Sequence, residues 1–295
     1  MSLDSSLEGV LSLLDLEPLE QNLFRGISPK ERLQRVFGGQ VIGQALVAAQ
    51  RTVPDDRLCH SLHCYFLRPG DTQVPIIYEV DRIRDGKSFT TRRVVAIQNG
   101  KAIFSLSASF QVIEEGLEHQ TPMPDVPGPE GLMSESDRRQ ADADKIPEKF
   151  RDMWLRPRPI ETRPVNPRDL FRPEPQEAAQ YIWVRTNGEL PNDMALQQAM
   201  LAYASDMSLL DTCTLPHGIS WGDPGVQMAS LDHAMWFHRE FRMDEWLLYA
   251  QDSPTSSGSR GINRGVFYRQ DGTIVATVAQ EGLIRIHEDE FKKRK

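Results

Sequence analysis

One pattern occurs twice in this chain of 295 residues, and it constrains the fold more than any other feature. In the first half, residues 38–50 (GGQVIGQALVAAQ) are small or apolar on nearly every side when wound as a helix. That is the mark of a helix wrapped by other structure rather than lying on a surface. Strand-forming runs follow at 60–66, 76–84, 91–98 and 102–112, the last two joined by Asn99-Gly100. Asn-Gly between alternating β-formers predicts a two-residue type I′ hairpin, because that turn needs positive φ at both positions. The second half repeats the order. A helix is expected over 192–210, with Asn192 or Asp193 as its N-cap, then strands at 228–237, 245–251 and 263–270, and Asp271-Gly272 turning into 273–285. A buried helix followed by an antiparallel meander, twice over, predicts two copies of one α+β unit.

The expected boundaries are 1–115 for the first unit and 150–295 for the second. Residues 116–149 between them hold five prolines and eight acids against four bases, with little apolar periodicity, and read as a linker or mobile excursion. The Pro-rich stretch 156–175 is expected to enter the second unit in extended form, since residues before proline avoid the α region.

Charge narrows the partners. The chain carries 34 Lys and Arg against 42 Asp and Glu, a net of −8, so it lacks the basic face of a general nucleic-acid binder. Any anionic ligand must meet a local basic patch. No run approaches the roughly 18 apolar residues of a membrane span, and the acidic, Ser-rich start at 1–8 lacks the basic region of a signal peptide. Cys59, Cys64 and Cys213 are too few and too oddly counted for a disulfide framework and suit a reducing compartment. A cytosolic protein is expected, with neither nucleic acid nor membrane among its partners.

Several motifs read as ordinary structure. Gly218-Ile219-Ser220-Trp221-Gly222 matches the Gly-x-Ser-x-Gly pattern of serine hydrolases, but that elbow needs a strand before it and a helix after it. Pro216 precedes the segment and Asp223-Pro224-Gly225 follows, so a loop is expected. Cys59, His60, His63 and Cys64 resemble a metal cluster in spacing. On a strand, however, Cys59 and His63 should face one way and His60 and Cys64 the other, so no metal site is expected. The same parity separates His233 from His238.

Two polar residues fit less easily. Asp206 sits late in the second helix after the apolar run 200–204, at the helix end where a carboxylate is disfavoured by the dipole. An acid placed there without a cation has its pKa raised, which suits a general base near neutral pH, and a solvent-facing helix end accounts for these features equally well. Gln280 lies on the last strand among apolar positions, where an outward-facing Gln would need no explanation.

Together, RVFGGQVIGQALVAAQ (35–50), SLHCYFLRPGD (61–71), LAYASDMSLLD (201–211), SLDHAMWFHR (230–239), DEWLLY (244–249), RGINRGVFY (260–268) and DGTIVATVAQEGLIR (271–285) resemble the acyl-CoA thioesterase II family. These are double-hotdog hydrolases that cleave fatty acyl-CoA to free acid and CoA. The resemblance covers nearly the whole chain apart from the linker and tails. It implies an α+β double hotdog, each half a long helix clasped by an antiparallel sheet, with the sheets joined edge to edge. It also implies acyl-CoA as substrate, no cofactor, and assembly as a homodimer or homotetramer.

Residue by residue, the resemblance carries the family's catalytic aspartate onto Asp206, its hydroxyl residue onto Ser230 and its strand glutamine onto Gln280. In that role they hold and activate a water that attacks the thioester carbonyl. An oxyanion needs donors, and the glycine-opened start of the first helix, Gly39 or Gln40, is expected to face Asp206 across the two halves. Arg260 and Arg264 are the bases expected to meet the CoA phosphates. The chain ends Phe291-Lys292-Lys293-Arg294-Lys295 rather than in a Ser-Lys-Leu-type signal, so a peroxisomal address is not expected. Two rivals remain. A hotdog hydratase or dehydratase would want a His near the acid, whereas the next one after Asp206 is His217, beyond Pro216. A non-catalytic acyl-CoA-binding or sensing protein would keep the fold and lose the acid. The repeat puts Gln50 where the second helix carries Asp206, which implies one catalytic centre per chain.

Overall fold

The computed structural model describes residues 6–29, 35–146, 148–169, 171 and 173–292. Residues 1–5 of the acidic start and 293–295 of the basic tail lie outside them. The first half runs α1 (Leu7–Leu14), β1 (Glu17–Glu20), β2 (Leu23–Gly26), α2 (Gly38–Gln50), β3 (Arg57–Phe66), β4 (Ile76–Asp85), β5 (Phe89–Gln98) and β6 (Lys101–Val112). Short helices α3 (Glu135–Ala141) and α4 (Glu148–Trp154) lie in the connection. The second half runs β7 (Ile160–Pro164), β8 (Ala179–Thr186), α5 (Met194–Ser205), a 3₁₀ stretch Leu209–His217, β9 (Val226–Ser230), β10 (Asp232–Phe237), β11 (Leu247–Ser257), β12 (Arg260–Arg269), β13 (Ile274–Ile286) and α6 (Glu288–Phe291).

The pairings are antiparallel and join these strands into one 13-stranded sheet, ordered β1-β2-β4-β5-β6-β3-β10-β13-β12-β11-β8-β7, with β9 on β13. The halves meet where β3 pairs β10, His63 opposite Ala234. Read outward from that seam, each half has the same order of strands.

Helices α2 and α5 pack together in opposite directions beneath the sheet. Gln50 at the end of α2 donates to the carbonyl of Ala195 at the start of α5 at 3.0 Å. Glycine permits the close approach: a Cβ on Gly39 would strike the carbonyl of Tyr203, and one on Gly43 would stand 3.2 Å from that of Ala199. Both helices and both meanders bury a single core that includes Ile42, Leu46, Leu62, Met200, Met235 and Phe267. The polar residues of α2 are satisfied inside it. Gln44 bonds the carbonyls of Leu13 and Ile27 and accepts from the Tyr78 hydroxyl.

Several expectations change. Asn99 and Gly100 take φ of 49° and 71°, the type I′ hairpin predicted. At Asp271-Gly272 only the glycine has positive φ, and Arg269 N–H reaches the carbonyl of Thr273, so that hairpin is a three-residue loop. The I′ geometry appears instead at Gly258-Ser259, between β11 and β12. Helix α5 stops at Ser205, short of 210, where the hydroxyl of Tyr249 takes the last helical carbonyl at 3.0 Å. A bulge between Cys59 and Ser61 breaks the parity of β3, so Cys59 and Cys64 are both buried while His63 is exposed.

Residues 116–149 are not a free excursion. The outer face of β8, β11 and β12 presents Trp183, Leu248 and Tyr268, and Met123, Val126 and Leu132 cover it. The indole N–H of Trp183 donates to the carbonyl of Pro127, and Gln120 clasps Gly272 and Ile274. Among the described residues, no helix is long and apolar enough to cross a membrane.

Candidate active site

The break of α5 at Ser205 puts Asp206 at the helix cap, its carboxylate aimed at the start of α2. There Phe37 offers no side-chain cap, so the first-turn N–H groups of α2 have no local acceptor. The backbone N–H of Gly39 donates to Asp206. A Cβ on Gly38 would stand 2.5 Å from its Oδ2, so glycine makes the approach possible.

The sheet supplies the other contacts. Leu231 interrupts what the sequence suggests is one strand, leaving β9 and β10 both on β13 and placing Ser230 opposite Gly282. Gln280 and Gly282 share one face of β13 by the two-residue period, so Ser230 and Gln280 converge. Gln280 Nε2 donates to Asp206 Oδ1 at 2.6 Å and lies 3.1 Å from Ser230 Oγ, which itself lies 3.4 Å from Asp206 Oδ1. Burial pushes the Asp206 carboxyl up to about 6, and the donors Gln280, Gly39 and Ser230 offset part of that rise.

These groups adjoin a cavity of about 790 Å³ whose lining includes Asp206, Ser230, Phe66, Ile103, Phe104 and Leu210. A second cavity of about 450 Å³, with Leu13, Trp154 and Ile160 in its wall, shares Phe37 and Met207 with the first.

Other sequence candidates lie elsewhere. The Gln40 side chain turns away to the carbonyl of Ile27, Ser28 Oγ and Gln44 Oε1. Arg264 sits on the sheet face opposite Gln280, because its register partner is Ala279, and it pairs with Asp252. Arg260 is exposed and paired with Glu281 at 2.8 Å. Neither lines the cavity. The arginines that do are Arg35, Arg68 and Arg158.

Sequence reasoning missed His233. It is fully buried on β10, with its ring nitrogens 2.9 Å from Ser205 Oγ and 3.2 Å from Gln280 Nε2. Its only signal in the sequence is inward parity on a strand. The Gly-x-Ser-x-Gly segment is a loop, with Gly218 at φ 55° and the N–H of Ser220 held by Asp223.

Comparison with known proteins places the chain in a family. The family model for acyl-CoA thioesterase matches residues 152–283, and that for the acyl-CoA thioesterase N-terminal domain matches 28–111. Acyl-CoA thioesterase 2 of Haemophilus influenzae is 43% identical over 96% of this chain and 99% of its own. Acyl-coenzyme A thioesterase 8 of Homo sapiens is 44% identical over 94% and 89%. Among solved structures, acyl-CoA thioesterase II TesB2 of Mycobacterium marinum superposes with a TM-score of 0.76 at 43% identity, covering 95% of this chain and 98% of that one. A protein with a hot dog fold from Alicyclobacillus acidocaldarius superposes at 0.73 with 20% identity, which bears on the fold alone. With two hotdog halves joined at β3 and β10 and near-full-length identity above 40% to these relatives, the chain belongs to the acyl-CoA thioesterase II family.

Proposed function

We propose that the protein hydrolyses acyl-CoA thioesters to a free carboxylic acid and the CoA thiol. One observation carries this reading: a carboxylate lifted to about 6 at the wall of a cavity, held by an amide, a hydroxyl and a backbone N–H drawn from both halves. A base of that strength is half-ionised near the pH where it must work, and it is ready to accept a proton from water. The names of the relatives point to the same chemistry.

In the reaction, Asp206 takes a proton from water and the oxygen bonds to the thioester carbonyl carbon. The C–S bond then breaks, and the sulfur leaves with the proton returned from Asp206. Ser230 and Gln280 orient the water and the acid. Because the N–H of Gly39 is engaged by Asp206, the backbone N–H of Gln40 in the same helical turn is the donor we assign to the oxyanion. The phosphate-bearing end of the substrate meets Arg35, Arg68 and Arg158, in place of Arg260 and Arg264, and the acyl chain takes the apolar wall.

Residues 1–115 and 150–295 act in this reading as two units of one catalytic body, supported by the seam and the shared core. A cytosolic location, supported by three buried free cysteines, and assembly as the homodimer or homotetramer that the resemblance implies complete it, testable by fractionation and sedimentation. Hydratase chemistry is disfavoured, because both ring nitrogens of His233 are already bonded inside the protein.

The decisive measurement is thiol release from acyl-CoA of several chain lengths. Release that disappears in Asp206→Asn supports the reading. Tight acyl-CoA binding with no thiol released at any length would instead leave a binding protein.

A further inference from the structure

Resting on the hydrolase reading, we propose that His233 is a positioning residue whose bare Nδ1 fixes which way round the Gln280 amide stands, and so keeps an N–H on Asp206. The argument follows the protons. Ser205 Oγ has one proton and lies 2.9 Å from the carbonyl of Ala202, which can only accept, so the proton goes there. Ser205 Oγ must then accept from His233 Nε2, 2.9 Å away, which makes Nε2 the protonated nitrogen. Burial holds the imidazole neutral, with its pKa lowered to about 3, so Nδ1 carries a lone pair and no hydrogen.

The terminal amide of Gln280 lies 3.2 Å from that lone pair. Only its NH₂ can satisfy Nδ1, since a carbonyl oxygen there would set lone pair against lone pair. The same NH₂ has a second proton, directed to Asp206 Oδ1 at 2.6 Å, while Ser230 Oγ, 3.1 Å from the amide nitrogen, spends its own proton on the same carboxylate at 3.4 Å. A reversed amide would turn its oxygen toward both His233 and the carboxylate. The ring lies outside the cavity lining, so it acts through Gln280 and not on substrate.

The acid limb of the pH profile reads this arrangement directly. Facing Asp206 are Gln280, Ser230, the N–H of Gly39, the Cys64 thiol on β3 and the Tyr249 hydroxyl on β11. Burial raises the thiol and the phenol well above their usual values, so both stay neutral through the assay range. Asp232 lies nearby on β10, and the cavity also holds Asp211, paired with Arg168 at 2.9 Å, and Arg35, Arg68 and Arg158.

Three variants of the full chain test the proposal by thiol release from acyl-CoA. His233→Leu removes the acceptor. It is expected to lower kcat by about 10- to 100-fold with KM little changed, and to move the acid limb of kcat/KM up by about one pH unit as Asp206 loses the N–H of Gln280 and keeps that of Gly39. His233→Asn restores an acceptor near the Nδ1 position and is expected to bring the limb most of the way back. Ser205→Ala releases the tautomer and is expected to shift the limb by less. An unshifted limb in His233→Leu overturns the proposal even if kcat falls, because loss of packing alone lowers activity without moving the pKa of the base. Should His233→Leu fail to fold, Ser205→Ala decides on the same criterion. A wild-type protein that releases no thiol defeats the hydrolase reading itself. A working wild type with unshifted variants defeats only the role of His233.

Discussion

The antiparallel helix pair has two ends, built alike and used differently. At one end α2 finishes with Gln50 beside the start of α5, and there Asp193 caps its own helix, accepting from Ala195 and Leu196 at 2.9 and 3.4 Å. At the other end α5 finishes beside the start of α2, which has no side-chain cap of its own and is met by Asp206 from the opposite half. The strands differ in step. The Ala234–Ala279 and His63–Ser107 pairs correspond across the seam, so His233 and Gln280 find Leu62 and Ala108 as their counterparts. One junction is capped by its own aspartate and carries Leu62 and Ala108 at the counterpart strand positions. The other leaves positive helix-end N–H groups for a carboxylate that borrows them, and it surrounds that carboxylate with amide, hydroxyl and imidazole.

Asp206→Asn should have the largest effect, a fall in kcat of roughly 10² to 10⁴ with KM nearly unchanged, measured by steady-state thiol release. In the wild type, kcat/KM should rise with pH through about 6, because only the ionised carboxylate accepts a proton. A rate that stays flat through that interval would remove Asp206 as the base. Stability should move the other way. A carboxyl raised from 3.8 to about 6 favours the fold fully below about 3.8 and loses that contribution as pH rises through about 6. The Tm of the wild type relative to Asp206→Asn should therefore drop between pH 4 and pH 8.

Gly39→Ala comes next, since its Cβ meets the carbonyl of Tyr203. Overpacking of this kind costs about 1–3 kcal/mol, and moving the first turn of α2 off Asp206 should lower kcat as well. Gly43→Ala, with its nearest contact at 3.0 Å to a Leu14 side chain, should cost less and leave kcat intact. At the Asp193 junction, Asp193→Ala should cost about 1 kcal/mol in denaturant unfolding with no change in kcat. Gln50→Ala should be smallest, under about 1 kcal/mol and also silent in turnover. A Gln50 variant that slowed hydrolysis as much as Asp206→Asn would break the asymmetry.

How legible these junctions were depended on the range of the interactions that build them. Helix α2 was readable to the residue, because a run of small and apolar positions needs no distant partner to identify it, and the cap at Asp193 is equally local. The end of α5 was not, because the Tyr249 hydroxyl that takes the Ser205 carbonyl comes from β11. Strands β2 and β8 escaped notice because the strands they pair with, β4 and β11, lie fifty residues or more along the chain, although Asn187-Gly188 marks the end of β8. Residues 116–149 read as a free linker because the apolar face they cover is made by other strands. Asp206 stood out as an acid following an apolar run, whereas Ser230 entered only through the family resemblance. His233 showed only its strand parity, because its partners come from a helix and a strand far away in the chain. The net charge calls for a local basic patch without locating it, and strand register puts Arg264 on the face opposite Gln280.

The seam between β3 and β10 has one more consequence. If two separate copies of a single unit met along such an edge, one gene would write both helix ends, and any substitution at one would appear at the other. A carboxylate could not be gained on one side without being imposed on both. Joining the copies in one chain gives positions 50 and 206 independent histories. One end is then free to serve as a place of reaction while its twin remains an ordinary joint between helices.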